Sequence, residues 1–187
     1  MNKVLCLYIV AGIFILYIMK YNNIQLNLIK YILMESIILI LLNIFKVDYK
    51  YYVVVLIMIG IIICDLKYYI IPDSFHLLLL INRIIFINSI DELYNSIFNI
   101  LIIVIIISIV AIILKYLLHK DTIGGGDIKL LFSLGIYCSY MVNIYCLMIA
   151  CISALFYMLV YKKRMIAFGP FICMGYLLYF ISLYNNI

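Results

Sequence analysis

Long apolar runs separated by short polar segments extend along the whole chain, a pattern typical of transmembrane helices. A helix needs about 20 mostly apolar residues to cross the hydrocarbon core, and somewhat fewer where it meets a wet cleft or a thinned bilayer. We therefore predict an all-α polytopic transmembrane helix bundle with about six to eight spans. The candidate spans are 4–19, 29–45, 51–65, 74–90, 95–118, 128–140, 141–160 and 166–184.

The composition excludes a soluble domain. Of the 187 residues, 70% are hydrophobic and 11% are charged, which would leave a very large apolar surface in water. The lipid bilayer is therefore an expected partner. Because the connections are short, we expect residues 1–49 to add N-terminal spans and residues 50–187 to form one integral membrane unit.

The basic residues predict how the chain is oriented, because Lys and Arg in short loops collect on the cytoplasmic side. Lys3 precedes an apolar run as in a signal sequence, but no small-residue cleavage site follows, so we interpret this run as a retained anchor. With the N-terminus outside, Asp91 and Glu92 fall in an external loop. The basic residues of the cytoplasmic segments are then Lys20, Lys30, Lys67, Lys115, Lys120, Lys129, Lys162, Lys163 and Arg164.

Several classes of function find no support in the sequence. The net charge of +5 is dispersed among loops, so we expect no nucleic-acid partner. The six cysteines lie in apolar runs without a C-x-x-C pair, and the sequence has no H-E-x-x-H motif, so we expect no metal and no cofactor. It also has no G-x-S-x-G motif, so we expect no serine nucleophile. Glu35 and Arg83 fall inside predicted spans, and we interpret them as a structural pair if their helices touch.

The first candidate functional residue is Asp65, which closes the third apolar run. An ionisable residue at the edge of the hydrocarbon is a functional candidate by default, and the helix dipole disfavours a negative charge at this C-terminal position. The structural alternative is an interfacial contact with Lys67. Further on, Pro72 interrupts the helical pattern, and Asp73 or Ser74 is predicted to cap the next helix.

The second candidate is Asp127, which follows the glycine run Gly124, Gly125 and Gly126. Glycine permits positive φ and close approach of the backbone, so such a segment can bend into the membrane. Irregular backbone at that depth is tolerated where it is buried in protein or lines a wet cavity. The structural alternative is a flexible turn with Asp127 as a helix cap.

Two carboxylates on different segments provide what aspartic protease chemistry requires. If Asp65 and Asp127 meet around one water molecule, repulsion between like charges keeps one of them protonated. The ionised partner can then accept a proton from the attacking water, while the protonated one donates to the peptide carbonyl oxygen. In the proposed topology both residues lie at the cytoplasmic face.

These segments resemble the type IV prepilin peptidases and the related preflagellin peptidases. The segment from Asp65 to Asp73, which includes Pro72, is similar to the first-aspartate motif D-x5-[I/L]-P-D. The segment from Gly124 to Asp127 is similar to the G-x-G-D motif. A third similar segment is Phe168-Gly169-Pro170-Phe171, interpreted from the residues alone as a turn that opens a span. The resemblance covers residues 50 to 184.

The resemblance implies an aspartic endopeptidase that removes the basic leader from prepilin-like substrates at the cytoplasmic membrane surface. Asp65 and Asp127 would be the catalytic pair. The site-shaping or substrate-binding residues would be Gly124, Gly126, Pro72, Asp73 and Lys129. Many bacterial members carry a cytoplasmic insertion with paired C-x-x-C motifs and methyltransferase activity, whereas here the first loop is short and has no cysteine. We therefore expect a short, peptidase-only form that does not use S-adenosylmethionine.

Two other classes of protein remain open. A membrane transporter or an assembly scaffold could also use a glycine-broken helix with acidic residues, although transporters often show internal repeats and the two aspartate segments are not copies. Another G-x-G-D protease, of the signal-peptide-peptidase or presenilin type, is the enzymatic alternative. Those proteases tend to have Tyr before the first aspartate, where this chain has Cys64.

Overall fold

All regular elements of the described residues are helices. The structure, a computed structural model, describes residues 50–87, 89–118, 123–162 and 165–185, together with residues 12, 13, 15–17, 20, 36, 37 and 40. The helices are α1 (Lys50–Tyr68), α2 (Asp73–Ile85), α3 (Ile90–Leu118), α4 (Gly125–Gly135), α5 (Tyr140–Tyr161) and α6 (Gly169–Asn185). The predicted all-α class is confirmed for this part of the chain.

Three of these helices are long and apolar enough to cross a membrane, within Tyr51–Tyr68, Ile90–Ile113 and Tyr140–Tyr161. The count of six to eight spans is not confirmed. Helices α2 and α4 have only 13 and 11 residues, and the apolar stretch of α6 is also shorter than a full span. The predicted spans 4–19 and 29–45 lie almost entirely outside the described residues.

The break between α1 and α2 follows from local backbone geometry. Tyr69 has a left-handed φ of 55°, and its N–H donates to the carbonyl of Asp65 at 2.9 Å, which closes the last turn of α1. Pro72 then occupies the N-cap position of α2. The prediction that Asp73 or Ser74 caps this helix is wrong, because α2 already begins at Asp73, where its carboxylate adds negative charge to the first turn.

Helix α3 begins earlier than the hydrophobic pattern predicted. The Ser89 hydroxyl accepts a hydrogen bond from the Glu92 N–H at 3.2 Å and thereby caps the helix. Asp91 and Glu92 therefore lie in the first turn of α3, and not in the loop that was predicted for them. Glu92 also pairs with Arg83 of α2 at 2.7 Å. Arg83 therefore has a partner near in sequence, whereas the expected partner, Glu35, lies outside the described residues.

Helix α1 is largely buried, and α2 and α6 pack against it, while α3 and α5 keep most of their apolar surface exposed. Helix α6 also packs against α4 and α5, and α4 packs against α2 and α3. Buried Asn143 of α5 joins these helices: its amide donates to the Gly135 carbonyl at 3.0 Å and accepts from the Tyr176 hydroxyl at 2.8 Å. The end of α4 is thereby fixed against α5 and α6.

One end of the bundle collects the segments that the sequence singled out. Helix α1 ends there, and α2, α4 and α6 begin there, which places Asp65, Asp73, Asp127 and Gly169 at the same end. We call it the aspartate end. The opposite end, where α2 is followed by α3 and Arg83 pairs with Glu92, is called the far end.

Candidate active site

Asp65 lies in the last turn of α1 and is buried, with 5% of its surface exposed. Its Oδ2 accepts a hydrogen bond from the backbone N–H of Gly169, the first residue of α6, at 2.8 Å. A buried carboxyl group is stable only when it is paired or hydrogen-bonded, and the Gly169 N–H supplies such a bond. The Gly169 N–H is thus the hydrogen-bond donor that the structure shows for this buried carboxyl.

Asp127 is the third residue of α4, and Gly124 is the N-cap. The Asp127 carboxyl reaches back to the Gly124 N–H, which forms one half of a capping box. Burial and the nearby Asp65 carboxylate raise the pKa of Asp127 to about 6, although the Gly124 hydrogen bond acts in the opposite direction. Asp127 therefore keeps its proton at pH values where an ordinary aspartate is ionised.

The two aspartate segments converge around α6. The charge of Asp65 acts on Asp127, and the Cys173 thiol of α6 lies close enough to interact electrostatically with both carboxyls. The Ile71 side chain lies between the segments: a Cβ built on Gly126 would be 3.6 Å from Ile71 Cβ, and one built on Gly169 would be 3.2 Å from Ile71 Cδ1. Three separate parts of the chain thus form one site.

The glycines of the site provide close approach and not unusual dihedral angles. None of the described glycines has a positive φ, so the positive φ that the glycine run permits is not used. A Cβ on Gly169 would lie 2.7 Å from Asp65 Oδ2, and one on Gly124 would lie 3.1 Å from Asp127 Oδ2. A Cβ on Gly126 would make only ordinary contacts, whereas one on Gly125 would meet open space.

The remaining predicted site residues form the outer edge of the aspartate end. Buried Pro72 precedes exposed Asp73, and Lys129 Nζ lies 2.7 Å from Asp73 Oδ1. The hydrogen bond and the charge of this lysine lower the pKa of Asp73. Lys129 lies near the beginning of α4, so this ion pair joins the beginnings of α2 and α4 at the solvent-exposed edge of the aspartate end.

The sequence reasoning missed three contributors to the site, namely Gly169, Ile71 and Cys173. Gly169 was noticed only as part of a turn in the Phe168–Phe171 segment, although that segment resembles a family motif. The motif was the available signal that a residue there serves the site. Ile71 likewise occupies the [I/L] position of the first-aspartate motif, whereas Cys173 does not differ from the surrounding apolar residues and has no such signal. Among the described residues, no three His, Cys, Asp or Glu side chains are grouped as metal ligands.

Comparison with known protein families assigns the chain to one of them. The model of the type IV leader peptidase family matches residues 51–159, which is more than half of the chain and includes both Asp65 and Asp127. The protein belongs to the type IV leader peptidase family, as the resemblance of its motifs implied. Comparison with curated proteins and with solved structures gave no match. Family membership and the apolar helices define it as a protease of the integral membrane class.

Proposed function

We propose that the protein is an aspartic endopeptidase that removes the basic leader peptide from prepilin-like precursors, the subunits of type IV pili or related secretion systems. Asp65 and Asp127 are its catalytic pair. The observation that carries the proposal is the convergence of these two carboxyls, from α1 and α4, at one end of an apolar helix bundle. Family membership favours this function over a transporter, a scaffold or another type of G-x-G-D protease.

The environments of the two aspartates divide the chemical roles. Asp65, which accepts the Gly169 N–H, is the base that takes a proton from the attacking water. Asp127, which keeps its proton up to about pH 6, donates that proton to the carbonyl oxygen of the scissile peptide. The water oxygen bonds to the carbonyl carbon, the C–N bond then breaks, and the leaving nitrogen takes up a proton. A metal ion or organic cofactor has no role in this scheme.

We place the aspartate end at the cytoplasmic face of the cell membrane. The lysines described at this end support that orientation, because basic residues collect on the cytoplasmic side. They are Lys67, Lys115, Lys129 and Lys162. The acidic residues Asp91 and Glu92 lie at the far end. A site at the end of the bundle also suits a scissile bond that directly precedes a hydrophobic helix. In this scheme residues 1–49 add N-terminal spans to a catalytic core of residues 50–187.

Co-expression with a prepilin-like precursor tests the proposal. Asp65→Asn and Asp127→Asn keep the size of the side chain but cannot ionise, so both variants should leave the precursor uncut at wild-type membrane levels. Asp91→Asn, an exposed aspartate at the far end, is the matched control and should cleave normally. Cleavage by either of the first two variants would refute the assigned pair, and a wild type that cleaves none of several such precursors would refute the function.

A further inference from the structure

The Asp73–Lys129 ion pair lies at the aspartate end, where it is exposed. The side chains of Asp73 and Lys129 are 76% and 56% exposed, and their charged atoms are 2.7 Å apart. Asp73 is held by the backbone: it follows Pro72, whose φ is fixed, and it begins α2, where a negative charge is favourable. Lys129 has a long, flexible side chain whose head is in solvent. One partner is therefore fixed and the other is easily released.

The position of the pair relates it to the path of a substrate. Ile71, two residues before Asp73, lies between the backbone of Gly126 and that of Gly169. Lys129 is two residues beyond Asp127 on the same helix. Residues two apart on a helix point to different sides, so Lys129 faces the solvent-exposed edge of the aspartate end and not the catalytic carboxyls. A leader that continues from the scissile bond towards solvent at this edge can contact the ion pair.

The distribution of charge singles out Asp73 as the acceptor for a basic group. Asp73 is the exposed carboxylate that the described residues place at the aspartate end, because Asp91 and Glu92 lie at the far end. The surrounding lysines repel a basic peptide. A basic leader can therefore make a favourable charge contact at Asp73, provided that Lys129 gives up its place.

We infer that Asp73 determines the preference for a basic leader by exchanging its partner Lys129 for a basic side chain of the precursor, an inference that rests on the proposed function. The exchange replaces one exposed ion pair, which contributes little to stability, with another that the bound precursor shields from solvent. Lys129 is then a competitor of the leader. If the ion pair only joined α2 to α4, loss of either partner would have the same effect on activity.

The test compares two precursors that differ only in the leader, whose basic residues are either kept or replaced by Gln. For each purified full-length enzyme in detergent, kcat and KM are measured on both precursors, and the ratio of the two kcat/KM values is the readout. Each variant thereby serves as its own reference for folding. The wild type should prefer the basic leader by at least about fivefold, the upper end for an exposed ion pair, because the bound precursor shields this contact from solvent. This preference should shrink in about 1 M salt.

The variants should change this ratio in opposite directions. Asp73→Asn should reduce it to about one, through KM, whereas Lys129→Gln should raise it above the wild-type value by lowering KM for the basic leader. Asp91→Asn at the far end should keep the wild-type ratio. The inference is overturned if Asp73→Asn retains the preference, or if Asp73→Asn and Lys129→Gln lower the ratio alike. A wild type that cleaves neither precursor would instead overturn the proposed function.

Discussion

Replacement of Gly169 by alanine should lower activity strongly without unfolding the protein. The new Cβ would lie 2.7 Å from Asp65 Oδ2, 3.3 Å from Asp65 Cγ and 3.2 Å from Ile71 Cδ1. A contact of 2.7 Å is too short to persist, so the carboxyl must move away. The same carboxyl accepts the Gly169 N–H at 2.8 Å, and this movement would lengthen or break that hydrogen bond.

The size of the effect follows from the bond that is lost. A hydrogen bond to a charged group contributes about 1.5–3 kcal/mol, and each 1.4 kcal/mol corresponds to a factor of ten. If the bond orients the catalytic base, kcat should fall by about 10- to 150-fold, while KM changes little because the outer surface is unaltered. The assay is leader removal by purified enzyme at a series of precursor concentrations, with thermal unfolding in the same detergent.

Gly125→Ala is the matched control, because it adds the same methyl group to a glycine of the same end where nothing lies within 4 Å. Its kcat should stay within about twofold of the wild type, since alanine is also the better helix former at this position. A Gly169→Ala enzyme with wild-type kcat would refute the account of how Asp65 is held. If Gly125→Ala lowered kcat as much as Gly169→Ala, the effect would come from reduced flexibility at the helix starts and not from the contact with Asp65.

Three further predictions concern pH and stability. The pKa of Asp127 is raised to about 6, and its protonated form donates a proton to the substrate in the proposed mechanism. The value of kcat/KM should therefore fall about tenfold per pH unit above pH 6, and a flat profile between pH 5 and 8 would contradict this role. Asn143→Leu should lower the free energy of unfolding by about 2–4 kcal/mol, because it leaves the buried Tyr176 hydroxyl without its acceptor and removes one of two hydrogen bonds to the Gly135 carbonyl. An unchanged melting temperature would argue against this network. Glu92→Ala removes the carboxylate that pairs with the buried Arg83 guanidinium, so it should lower the free energy of unfolding by about 3 kcal/mol. Arg83→Met should lower it less, because the carboxylate that then loses its partner, Glu92, is half-exposed. A lower melting temperature for Arg83→Met than for Glu92→Ala would contradict this.

The sequence predicted the helical class and the two aspartates because both depend on local signals. Apolar runs identify membrane helices, and a charge at the edge of such a run is conspicuous. The start of α3 was predicted wrongly even though a local signal existed. Ser89-Ile90-Asp91-Glu92 has the S-x-x-E pattern of a capping box, which places the helix start before the acidic residues and not after them.

Other features depended on tertiary packing and could not be derived from a local pattern. The donor to Asp65 is a backbone N–H from Gly169, 104 residues away, and every residue except proline carries such a group. Asp73 was predicted as a cap from its position after Pro72, but the partner that the structure gives it is Lys129 on another helix.

The most direct test of the central claim is a double-mutant cycle on the two aspartates. Leader removal is measured in single turnover with purified wild type, Asp65→Asn, Asp127→Asn and the double variant, and binding of the uncut precursor is checked for each. If the two carboxyls act as one unit on one water molecule, each single variant should lose at least about a thousandfold in rate, and the double variant should be no slower than either. A single variant that keeps more than about a tenth of the wild-type rate, or losses that simply multiply in the double variant, would contradict the catalytic pair.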